Sequence, residues 1–75
     1  MNRYSRNTPA LLITRDGDLM LNALPMSMPT ARRRVREWMK FYKRYGYEVE
    51  WSGNDGSAIE VRMPGWERTF EAVAA

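Results

Sequence analysis

Two pairs of carboxylates stand close together in the chain, Asp16 with Asp18 and Glu48 with Glu50, and Lys40 and Lys43 complete a short inventory of groups that could move a proton. Such pairs act as general acid and base only where a closed environment drives their pKa values apart. Asp16 and Asp18 flank Gly17 in a turn signature, and Glu48 and Glu50 alternate with apolar residues as the outward side of a strand, so both pairs read as solvated. Histidine and cysteine are absent. The commonest general base, the commonest transition-metal ligand and the most reactive nucleophile are therefore missing. The lysines fall on a solvent face where nothing would depress their pKa. The oxygen ligands of Asp16-Gly17-Asp18 and Asn54-Asp55-Gly56 lack the twelve-residue spacing of an EF-hand. Gly53-Asn54-Asp55-Gly56 has the GxxG form of a phosphate-holding KH loop, but it joins two strands and carries an aspartate. The expectation is a chain that is not an enzyme and holds no cofactor or metal.

What the residues do offer is charge for contact. Seven of the twelve Lys and Arg residues lie between Thr30 and Tyr45, with Glu37 as the one acid among them. At about 100° per residue, Ala31, Val35, Trp38, Met39 and Tyr42 gather on one side of a helix. Arg33, Arg36, Lys40, Lys43 and Arg44 gather on the other, and these five are the expected partner-binding residues. Arg32, with Arg3 and Arg6 from the N-terminal arm, forms a secondary set. The wheel turns Trp38 and Tyr42 inward and leaves Phe41 and Tyr45 at the margin, so the charge stands apart from the rings. Arg32, Arg33 and Arg34 sit near the helix start, where positive charge opposes the macrodipole at a cost of a few tenths of a kcal/mol each. Glu37 could pair only with Arg33 or Lys40.

The elements that must position this stripe are legible from periodicity. Residues 1–9 read as a flexible basic arm and residues 10–75 as a single small domain. Leu11–Thr14 and Leu19–Leu21 flank Asp16-Gly17, a tight hairpin turn. Regular alternation would place Met20, Asn22 and Leu24 on one face and Leu19, Leu21 and Ala23 on the other. Ser27 or Thr30 could cap the helix, Pro29 suits its first turn, and Gly46 supplies a left-handed stop. Beyond Gly46 the period changes to two: Tyr47, Val49 and Trp51 alternate with Glu48 and Glu50, and Ile59, Val61 and Met63 with Glu60 and Arg62. Residues 66–75 suit a strand folded back about Pro64-Gly65, setting Trp66 beside Met63, Glu67 beside Arg62, Phe70 beside Ile59 and Arg68 opposite Val61; a helix is the alternative. The order is ββαβββ: an α+β fold of two layers, an antiparallel sheet with one amphipathic helix across it. The expected core sets Val35, Trp38, Met39 and Tyr42 against Tyr47, Val49, Trp51, Ile59, Val61 and Phe70.

Net charge is +3, but residues 1–45 carry ten basic and three acidic groups (+7) and residues 46–75 two basic and six acidic (−4). One basic and one acidic surface should result. No apolar run approaches the ~18 residues of a membrane span, and the N-terminus lacks the apolar stretch of a secretory signal, so a cytoplasmic protein without membrane insertion is expected. The size, the lack of catalytic groups and the hairpin–helix–sheet layout resemble small phage accessory proteins, some of which inhibit host defence complexes; the resemblance rests on no motif. The functional expectation is a binding protein, an adaptor or inhibitor, whose basic helix face meets an acidic protein surface. Non-specific phosphate contact with nucleic acid is the alternative, and a homodimer is open.

Overall fold

The computed structural model describes residues 8–52 and 55–75. Arg3 and Arg6 of the arm, and Gly53 and Asn54, lie outside the described residues. The elements are β1 (Pro9–Asp16), β2 (Leu19–Ser27), α1 (Met28–Arg44), β3 (Glu48–Trp51), β4 (Ala58–Met63) and β5 (Trp66–Ala74). The five strands form one antiparallel sheet in the order β2-β1-β5-β4-β3, with α1 packed across one face. This is the expected two-layer α+β fold in the order ββαβββ.

The last segment is a strand, and its register with β4 is the expected one, including Arg68 opposite Val61. Its place is central: β5 pairs with β4 on one side and along seven residues with β1 on the other, Ala10 to Asp16. Pro9 already belongs to β1, so the sheet begins one residue before the expected domain boundary.

Both ends of α1 are fixed closely. Strand β2 runs straight into it without a loop, the helix starting at Met28, two residues before Thr30, with Pro29 in its first turn and Ser27 as N-cap. The Ser27 hydroxyl bonds Thr30 Oγ1 at 2.9 Å and caps no backbone N–H. At the other end Gly46 takes φ +83°, the Gly46 N–H bonds the Lys43 carbonyl at 3.1 Å, and the Tyr47 N–H bonds the Tyr42 carbonyl at 3.0 Å. These two bonds make a Schellman stop, and the Tyr42 and Tyr47 rings meet at 5.1 Å as its apolar contact. Because the C-terminal end of β2 and the N-terminal end of β3 lie at opposite ends of the sheet, α1 crosses it diagonally.

The core beneath the helix joins Met28, Ala31, Val35, Met39 and Tyr42 to Ala10, Leu12, Ile59, Val61, Phe70 and Ala72. Two expected members are corrected. Trp51 is 44% exposed, because it ends the short edge strand β3 beyond the helix's footprint. Trp38 is 36% exposed: it lies over Phe70 but on the flank of the buried arc, not at its centre.

A bulge also corrects the faces of β2. Asn22 pairs with Thr14 but Met20 pairs with Arg15, leaving Leu21 as the extra residue. Consecutive residues of β1 point to opposite faces, so Met20 is turned away from Asn22 and Leu24, and Leu19, opposite Asp16, takes its place.

Candidate basic and aromatic interface on the helix

The stripe is built as a helix surface must be. Ala31, Val35, Met39 and Tyr42 face the sheet, so Arg33, Arg36, Lys40, Lys43 and Arg44 are directed outward, and all five are exposed. None of them forms an ion pair among the described residues, where the pairs are Arg32–Asp55, Arg62–Glu50 and Arg62–Glu60. Glu37 therefore neutralises neither Arg33 nor Lys40. Five like charges on one helix face, with neighbours three or four residues apart, repel one another unless an anion is brought to them.

Arg32 behaves differently. It lies on the flank facing β3, 3.6 Å from the Asp55 carboxylate, and also donates to the Asp55 backbone carbonyl. Its charge is engaged in tying the β3–β4 loop to the helix. Asp55 is further held by Ser57, whose hydroxyl donates to Oδ1 at 2.6 Å and whose N–H does so at 3.2 Å. The Ser57 hydroxyl, and to a smaller degree Arg32, keep the Asp55 carboxyl below its ordinary pKa.

The opposite flank carries what the wheel did not show. Trp38, Phe41 and Tyr45 are 36%, 46% and 63% exposed and form a continuous ring patch beside the basic stripe. Trp38 meets Phe41 edge-on at 5.5 Å, and Phe41 meets Tyr45 at 4.9 Å. Underneath, Trp38 stacks on Phe70 at 5.0 Å and 13°, so one of its faces is covered. Arg34, Glu37, Trp38 and Phe41 line an open depression of about 310 Å³. The separation of charge from rings expected on the wheel is thus corrected: a half-buried arc wider than the apolar residues alone leaves its edge residues solvated. The signal was in the sequence, since Trp38, Phe41 and Tyr45 are spaced three and four apart. Among the described residues the cation–π contact is Arg68 over Trp66 at 4.9 Å.

The far side of the sheet has the opposite charge. Since Ile59, Val61, Phe70 and Ala72 face the helix, their neighbours face away. Glu48, Arg62 and Glu67 form one row across β3, β4 and β5; Glu50, Glu60 and Thr69 form the next, and Glu71 lies beside Ala58. Glu50 and Glu60 are directly opposite, a repulsive arrangement that Arg62 relieves at 4.0 and 3.0 Å. The two Glu neighbours, Glu60 first, raise the Arg62 pKa further. Asp16 and Asp18 lie at the same end of the sheet as Glu48 and Glu50, but β5 and β4 stand between β1 and β3 and Asp16 falls on the face opposite to Glu48 and Glu50, so the two carboxylate pairs are not brought together. Among the described residues no helix is long and apolar enough to cross a membrane. No family model matches the chain, and comparisons with curated proteins and with solved structures find no match.

Proposed function

We propose that this is a non-catalytic binding protein, an adaptor or inhibitor, that docks α1 on an acidic protein surface. The observation that carries the reading is the juxtaposition on one helix of five cations without ion-pair partners among the described residues and a clustered aromatic flank. Arg33, Arg36, Lys40, Lys43 and Arg44 supply steering and orientation, and Trp38, Phe41 and Tyr45 supply the apolar anchors that charge alone lacks. Both ends of the helix are held by the sheet, so the surface is preorganised and little ordering entropy is lost on docking.

Phosphate contact with nucleic acid is the second reading, favoured by the exposed rings. Their arrangement suits it less well. Successive bases need separate free ring faces, whereas Trp38 has one face on Phe70 and its edge region filled by Phe41.

Recovery of partners from the native cell on tagged protein, followed by reconstitution with the purified partner, tests the reading. An acidic protein held by the wild type and lost by both Arg36→Glu and Phe41→Ala is expected; equal recovery by all three overturns a role for α1. Titration with duplex and single-stranded oligonucleotides at ~50 mM salt is the counter-test. A log–log salt slope of about −3 to −5, reduced by roughly one in Lys40→Ala, would assign the surface to nucleic acid instead.

A further inference from the structure

Strand β2 forms an edge of the sheet, and every residue from Leu19 to Pro25 is exposed. The diagonal helix leaves this edge uncovered where it passes toward β3. Between Asp18 and Arg32 the sequence has no charged residue, and Leu19, Met20, Leu21 and Leu24 present large apolar side chains to solvent. Edge strands are ordinarily protected by charged side chains, prolines or bulges; this one has Pro25 and the Leu21 bulge but no charged side chain after Asp18. The opposite edge carries charge, through Glu48 and Glu50 of β3.

We propose that β2 pairs antiparallel with β2 of a second copy of the chain about a two-fold axis at Ala23, its middle residue, making a ten-stranded sheet with both helices on one face. The backbone phase allows it. The Met28 N–H bonds the Thr8 carbonyl at 2.7 Å, which makes Ala10–Met26, Leu12–Leu24 and Thr14–Asn22 the hydrogen-bonded pairs within the hairpin. Ala23, Pro25 and Ser27 therefore direct their backbone groups outward. On the axis the Ala23 N–H and carbonyl of each copy meet those of the other. Pro25, which has no N–H, stands at an outward position opposite the partner's bulged Leu21, so each of these two pairs keeps at most the bond from the Leu21 N–H to the Pro25 carbonyl, and the ladder rests on the Ala23 pair and the Ser27–Leu19 pairs.

Charge selects a second copy as the occupant. Reflection about Ala23 sets Asp18 opposite the partner's Met28, the first residue of the helix. That helix start has no acidic residue in its first turn and no side-chain cap from Ser27, and Arg32, Arg33 and Arg34 follow it. Each copy thus brings the acidic Asp16-Gly17-Asp18 turn to the positive helix end of the other, twice by symmetry. The uncharged strand between creates no like-charge conflict, as a self-facing contact requires. The pairing is closed, and the acidic β3 edges left at its two ends resist further addition.

Sedimentation equilibrium of the full chain from ~5 to ~500 µM tests this. A species of twice the 8.8 kDa chain mass is expected toward the upper end. Asp18→Lys and Leu24→Asp should each raise the dimer dissociation constant at least ~10-fold. Both positions are exposed, so circular dichroism and melting of the monomer should stay unchanged; if Leu24→Asp fails this control, Asp18→Lys on the turn still decides. Hydrogen exchange at the Ala23 amide should slow as concentration rises. A monomer throughout the range overturns the proposal, and so does a dimer of unaltered affinity in Asp18→Lys with unprotected Ala23.

Discussion

Asp55 organises the β3–β4 connection through two residues, Ser57 and Arg32, and they are not equal. The hydroxyl of Ser57, at 2.6 Å, stabilises the carboxylate more than the Arg32 guanidinium at 3.6 Å. The Asp55 pKa is accordingly depressed below 3.8. Stability from this group is fully present above its unfolded pKa and is lost as pH falls through the lowered folded value. In an NMR titration, Ser57→Ala should move the Asp55 pKa back toward 3.8, and Arg32→Ala should move it less. A larger effect from Arg32 would reverse the ranking. That Asp55 and Gly56 belong to the connection between β3 and β4 was legible, because Asp and Gly are turn formers. That Arg32 reaches across to it was not, since the contact joins residues 23 apart in the chain and depends on where the helix lies over the sheet.

At the scale of elements, burial separates residues that periodicity had grouped. Ile59 and Trp51 are cross-strand neighbours on the helix face, both expected in the core. Ile59 is fully buried, whereas Trp51 is 44% exposed. Ile59→Ala should lower unfolding free energy by about 2 to 5 kcal/mol, from lost transfer energy plus a cavity. Trp51→Ala should cost less than about 2 kcal/mol, because solvent can fill the space. Denaturant melts of the two variants check the order; equal costs would refute the burial argument. The elements themselves were readable wherever side chains alternate: β3 and β4 follow from period two, whereas residues 66–75 suited a helix as well, and the pairing about Pro64-Gly65 favoured the strand whose register with β4 is found. The Leu21 bulge was not, because an uncharged apolar strand carries no polar face from which to read alternation. Nor was the exposure of Trp38, since the wheel fixes an angle but not how far the sheet extends beneath it.

For the molecule as a whole, the unequal charge of the two chain halves becomes two faces, a basic helix and an acidic sheet back, as the charge count foretold. Strand order was beyond sequence reasoning, because β1–β5 pairing joins opposite ends of the chain and leaves no local trace. Its energetic weight is large: within the sheet, β5 is the strand that joins the β1–β2 hairpin to β4 and β3. A chain lacking residues 66–75 should therefore be unfolded, with a random-coil far-UV spectrum and no cooperative melt; a cooperative transition in that truncation would show that the hairpin and helix suffice. The same central position sets a timetable during biosynthesis. Translation delivers the hairpin and helix first, and the sheet cannot close until residues 66–74 have emerged from the ribosome. Until then the apolar faces of β1 and β2 have only α1 to cover them, so the nascent chain passes through an interval in which chaperone capture or premature strand exchange competes with folding.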